Sequence, residues 1–111
     1  MQITEQRQGA VTVVIPQGPL SQSDADDFKD HMEAVLVKSL GRFVIDVQEV
    51  PFVDSRGLEV LLEISEELAQ SGRSLKICGI NETVREVLDL TELTELFERF
   101  ADATTAVGSF V

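Results

Sequence analysis

The sequence predicts an α/β fold: a single domain with a mostly parallel sheet of four to five strands, helices packed against it, and an antiparallel strand at the N-terminal edge. Three observations predict it. Short β-branched runs alternate with stretches of helical period. The order strand–helix–strand repeats, which calls for parallel pairing through right-handed crossovers. The chain has 111 residues, with no linker, internal repeat or low-complexity tract, so one domain is expected over residues 1–111.

Ile3 to Gln8 reads as a short edge strand. Val11-Thr12-Val13-Val14-Ile15 is β-branched throughout and ends at Pro16; Gly9-Ala10 between the two runs suits a hairpin turn. Gln17 to Leu20 is a loop. Ser21 to Ser39 reads as a helix with Ser21, Ser23 or Asp24 as its cap, and with Ala25, Phe28, Met32, Val35 and Leu36 on one face. Gly41 follows it, where a left-handed residue is often needed.

Phe43 to Val47 is a second β-branched strand. A helix opening at Asp54-Ser55 carries Leu58, Leu61, Leu62, Ser65 and Leu68 as its expected buried stripe, with glutamates outside, and closes at Gly72. Ser74 to Cys78 is a further strand. Asn81 caps a third helix bearing Val84, Val87 and Leu88. A last short strand begins at Leu96-Phe97 or at Phe100, and Ala101 to Val111 is a short helix or tail. The strands at Val11–Ile15, Phe43–Val47 and Leu75–Cys78 form the expected core. Function in such sheets gathers at the carboxyl ends of the strands, where Gly18–Ser23, Pro51–Gly57 and Gly79–Thr83 emerge.

Charge narrows the function. The net charge is −11, from 20 acidic and 9 basic residues. This argues against nucleic acid, whose phosphates are gripped by clustered Lys and Arg, and against an anionic membrane surface. A protein partner with a basic face fits better. One cysteine excludes an internal disulfide, and the chain shows neither a signal peptide nor an apolar run of membrane length, so a cytoplasmic location is expected.

The usual marks of an enzyme are missing. His31 is the sole histidine and sits mid-helix among acidic residues; Cys78 ends an apolar strand, where a buried thiol is inert. One His and one Cys cannot build a common zinc site. Glu63, Glu66 and Glu67 read as a solvated face. Gly18 and Gly57 fit no nucleotide fingerprint. No catalytic residue, metal or cofactor is called for.

Pro51-Phe52-Val53-Asp54-Ser55-Arg56-Gly57-Leu58 is the exception. An apolar run stops at two small polar residues and a helix begins at once, capped by either Asp54 or Ser55. Capping alone needs only one of them. Gly57 in the first turn costs roughly 0.5–1 kcal/mol relative to alanine, and it lets something approach the backbone closely.

This stretch resembles the STAS domain of bacterial anti-anti-sigma factors, whose hallmark Asp-Ser-x-Gly-Leu is matched by Asp54, Ser55, Gly57 and Leu58. Gly18-x-Leu20 before a helix, Gly72-x-x-Leu75, and Val84 with Val87-Leu88 and Leu93 extend the likeness over nearly the whole chain. The resemblance implies that Ser55 is phosphorylated by an anti-sigma factor with serine kinase activity and dephosphorylated by a metal-dependent Ser/Thr phosphatase. The unphosphorylated form would bind the anti-sigma factor and free the sigma factor. Partner contacts are then expected from Leu20, Ser21 and Ser23 in one loop and from Asp54, Ser55, Arg56, Gly57 and Glu59 in the other.

Ser21 departs from the family's frequent aspartate, Arg56 from a small residue, and Glu92 from a glycine near the end of the third helix. A phosphate adds about −1.5 to −2 charge at the positive end of a helix, so the fold tolerates it, with Arg56 placed to reach it. Two competing readings remain. One is a kinase-independent STAS adaptor in a signalling or transport complex. The other is an enzyme or small-ligand binder with a deep pocket near Gly18, Asp54 and Asn81.

Overall fold

The computed structural model describes residues 1–110. In chain order they form β1 (Gln2–Gln8), β2 (Val11–Gln17), α1 (Gln22–Lys38), β3 (Phe43–Asp46), α2 (Ser55–Ala69), β4 (Leu75–Cys78), α3 (Glu82–Leu90), a 3-10 turn (Thr94–Leu96), β5 (Phe97–Phe100) and α4 (Ala103–Gly108). The five strands lie side by side in that order; β1 runs antiparallel to β2 and every other neighbouring pair is parallel. The alternating pattern thus builds the mixed sheet that the sequence calls for. The last strand begins at Phe97, and the tail is a short helix; Val111 lies outside the described residues.

Both faces of the sheet are covered, which explains why the central strands are apolar at almost every position. Val14, Phe43, Ile45, Leu75 and Ile77 pack in one core with buried residues of α1, α2 and α3. Val11, Val44 and Cys78 point the other way, against Ala106 of α4 and the half-buried Phe100 and Phe110. Alternation along β3 assigns Phe43 and Ile45 to the first layer and Val44 to the second. Burial pushes the Cys78 thiol up to about 12, aided by the nearby Asp46 carboxylate, so it stays a neutral packing group at neutral pH.

Three sequence expectations need correction. Pro16 does not end β2. The parallel ladder to β3 covers only Thr12 to Val14, so the proline's missing N–H breaks no pairing there, and the strand continues to Gln17. The buried stripe of α2 is Gly57, Val60, Leu61, Ile64, Ser65 and Leu68, while Leu58 and Leu62 are only half-buried at its margins. Apolar side chains ring this helix, and the packing against α1 selects the phase.

The third correction concerns helix ends. Gly41 does have a positive φ of 80°, but the residue that closes α1 in the left-handed conformation is Leu40, with φ 56°. The amide of Gly41 reaches back to the carbonyl of Leu36 at 3.1 Å, the long return bond of a Schellman closure. Gly72 closes α2 in the same way, through Arg73 to Leu68. Glu92 does so for α3, with φ 60° and the Leu93 amide 3.1 Å from the Leu88 carbonyl. Glu92 therefore holds a glycine-like backbone despite its side chain.

Candidate functional site

The loops after β2 and β3 are joined along their length. The amide of Gly18 donates to the Glu49 carbonyl, that of Leu20 to Phe52, and that of Asp54 back to Leu20, each at 3.1 Å. Leu20 and Val53 thereby form an isolated parallel bridge, a continuation of the sheet beyond the ends of its strands. Asn81 joins the third loop: its amide nitrogen donates to the Val50 carbonyl at 2.7 Å, while its Oδ1 caps α3 through Val84 at 2.9 Å. The three segments expected at the carboxyl edge of the sheet thus meet in one hydrogen-bonded rim.

Asp54 is the residue on which the rim turns. Its Oδ1 accepts from the Gly57 amide at 2.9 Å, which makes it the N-cap of α2. Its Oδ2 accepts from the Gln22 amide at 3.0 Å, at the first residue of α1. One carboxylate therefore serves two helix starts, and each oxygen meets the partial positive charge of free amides. Gln22 holds a left-handed φ of 49°, which costs a non-glycine residue about 1–2 kcal/mol; the bond to Asp54 helps to hold it. Ser21 occupies the cap position of α1 but its side chain makes no capping bond; its backbone carbonyl closes the first turn to Asp24 and Ala25. Neither Ser23 nor Asp24 is the cap.

This settles which of the two adjacent polar residues caps α2. Asp54 does, and the Ser55 hydroxyl makes no hydrogen bond among the described residues. Ser55 stands exposed at the first position of the helix.

Gly57 answers its own question. A Cβ there would lie 2.1 Å from the Leu20 carbonyl oxygen and 2.7 Å from Val53 Cγ1. What approaches the backbone is the neighbouring loop, so the glycine is the contact that lets α2 press against Leu20. Leu20 and Gly57 are both buried and offer no surface to a partner. Ser23, Ser55 and Glu59 are exposed, and Ser21, Asp54 and Arg56 half-exposed. Phe52, 46% exposed on the same rim, escaped sequence reading because an aromatic inside an apolar run looks like core. Its place just before a polar helix start was the available signal.

Arg56 does not point at Ser55. Its Nε donates to Asp26 Oδ1 of α1 at 2.8 Å, and its Nη1 to Glu63 Oε1 at 3.1 Å and to Glu59. Lys29 of α1 grips the other oxygen of Glu63. These charges tie α1 to α2 beside the rim, and they hold the Glu63 carboxyl below its ordinary range, through Lys29 first and Arg56 next. Glu63 is therefore part of an inter-helix ion network and not simply a solvated glutamate. His31 is likewise engaged, with Nε2 2.7 Å from Glu5 Oε2.

Comparison with known proteins fits this geometry. Residues 2–106 match the family described as STAS domain. The chain belongs to that family. Its relatives include the anti-sigma F factor antagonist of Paenibacillus polymyxa, 25% identical over 96% of this chain and 92% of that protein. BtrV of Bordetella bronchiseptica, provisionally named an anti-sigma factor antagonist, is 24% identical over 99% of this chain and 95% of its own length. Among solved structures, an anti-sigma factor antagonist from Mycobacterium paratuberculosis superposes with a TM-score of 0.84 at 23% identity, covering 97% of this chain and 92% of that one. That likeness is one of fold, and it extends over nearly the whole of both chains.

A cleft of about 650 Å³ lies at Ile80, Arg85, Asp89, Arg99, Phe100 and Ala101, and none of Gly18, Asp54 and Asn81 lines it. Among the described residues, no helix is long and apolar enough to cross a membrane.

Proposed function

We propose that this STAS domain, read as one unit over residues 1–111, is an anti-sigma factor antagonist switched by phosphorylation of Ser55. The unphosphorylated protein binds an anti-sigma factor that is also a serine kinase, and so releases the sigma factor. The kinase transfers phosphate to the Ser55 hydroxyl, the complex dissociates, and a metal-dependent Ser/Thr phosphatase restores the binding form. The domain acts by binding and carries out no chemistry of its own.

One observation carries this reading: Ser55 is exposed and unengaged while Asp54 does all the capping. A serine kept only for the helix start would use its oxygen there. The relatives named anti-sigma factor antagonists support the partner class. The rim of Ser21, Ser23, Asp54, Ser55 and Glu59, with Phe52 beside it, supplies the docking surface, and a phosphate dianion on Ser55 beside the Asp54 carboxylate would have to lose its water for a partner to dock there.

Calorimetric titration of an anti-sigma factor kinase with three forms of the protein tests this. Native protein and Ser55→Ala should bind alike, and Ser55→Asp should bind about 100-fold more weakly, a loss of about 2.7 kcal/mol. Equal affinity for all three forms would overturn the role of Ser55.

A further inference from the structure

We propose that the carboxylates around Arg56 withhold its guanidinium from a phosphate on Ser55, so that phosphorylation leaves an uncompensated negative charge on the docking rim. The inference rests on Ser55 being the phosphate acceptor.

An arginine next to a phosphoserine is the residue expected to neutralise it. Here each nitrogen of the guanidinium has a carboxylate partner, and four of its five N–H groups are used. Nε and Nη2 both donate to Asp26 Oδ1, and Nη1 is shared between Glu59 and Glu63. The cage draws on two helices, Asp26 from α1 and the two glutamates from α2, and Lys29 fixes Glu63 from its far side. The same contacts raise the affinity of Arg56 for its proton, Asp26 first and then Glu63.

Helix geometry adds to the separation. Adjacent residues project about 100° apart around the axis, so Arg56 does not face Ser55; the residues one turn on do. For Ser55 these are Leu58 and Glu59. Asp54 stands on the other side with both oxygens already accepting amide protons. The charged groups around the position are thus Asp26 and Lys29 from α1, and Asp54, Arg56, Glu59 and Glu63 from α2 and its cap. Two cations stand against four carboxylates. The donors left for a phosphate are the amides of Ser55 and Arg56, which have no acceptor among the described residues. They hold the phosphate to the helix start without cancelling its charge.

A switch needs this. A phosphate paired with its own arginine would have about half of its charge cancelled and would weaken docking less. The cage keeps the arginine as a strut between helices and leaves the full charge to act on the partner.

The test places phosphoserine at position 55 during synthesis, so it does not depend on any kinase; failure of Ser55 as a natural acceptor would appear only in phosphorylation assays. The second pKa of the phosphate is followed by phosphorus NMR. Arg56→Gln should shift it by no more than about 0.3 in the native background. With the cage opened by Asp26→Asn and Glu63→Gln, the same Arg56→Gln change should raise it by about one unit, a tenfold change in proton affinity. The Arg56 Nε–H resonance of the otherwise native protein should stay in place on phosphorylation. A one-unit rise in the native background, or a displaced Nε–H resonance, would show direct pairing and overturn the proposal. No effect in either background would overturn the role of the cage.

Discussion

Asp54 accepts the amide of Gln22 at 3.0 Å across 32 positions of sequence, while the other oxygen of the same carboxylate caps α2 at Gly57. The hallmark aspartate therefore does structural work on two elements at once, and this frees the neighbouring serine. Site and fold are joined at that carboxylate.

Replacing Asp54 with alanine should cost about 1–2 kcal/mol, the usual loss for an N-cap, and lower Tm by about 4–8 °C. Asp54→Asn should retain the cap on α2, since asparagine is an equally good N-cap. Its single oxygen leaves Gln22 without an acceptor. Hydrogen exchange should show the Gln22 amide exposed in both variants, and the Gly57 amide exposed only in the alanine variant.

Gly57→Ala tests the close approach of the loops. Helix propensity alone favours alanine by about 1 kcal/mol. Steric contact with the Leu20 carbonyl and Val53 predicts the opposite sign, because the nearest obstacle is backbone that two loop hydrogen bonds hold in place. Urea denaturation should show a loss of about 1–3 kcal/mol.

Leu40 is 80% exposed and left-handed, so its side chain contributes strain without burial. Leu40→Gly should stabilise by about 0.5–1 kcal/mol, the strain relieved less the entropy that glycine adds to the unfolded chain. A thermal melt should show a higher Tm.

Acid should weaken the seam between β1 and α1. Glu5 bonds Lys38 at 2.9 Å, and this contact above all, with His31 beside it, holds the Glu5 carboxyl below its ordinary value of 4.5. A depressed folded-state pKa means a contribution fully present above that value and lost as pH falls through the folded-state pKa. Native protein should therefore be more stable than Glu5→Gln at neutral pH, with the difference shrinking as pH drops below 4.5. Denaturation at stepped pH values measures it.

The sequence made the strands legible because β-branched runs such as Val11–Ile15 are buried on both faces and read alike from either side. The motif residues were legible as a group, and so was the reason for Gly57, a close backbone approach. The phase of α2 was not: Leu58 and Leu62 are as apolar as Val60 and Ile64, and only contact with α1 and the sheet decides between them. The partners of Asp54 and Arg56 were hidden for a related reason. Glu59 and Glu63 fall within two helical turns of Arg56, whereas Gln22 and Asp26 reach the site only through the packing of α1 beside α2. The left-handed residues Leu40 and Glu92 carry no sign of their backbone in their side chains.

The central claim is that Ser55 carries the phosphate. The direct measurement is intact mass and peptide mapping after incubation with an anti-sigma factor kinase and ATP. A single added phosphate is expected, on Ser55, and none on Ser55→Ala. Phosphate on Ser21 or Ser23, or no added mass with any such kinase, would contradict it and leave Ser55 as an exposed residue beside the true cap.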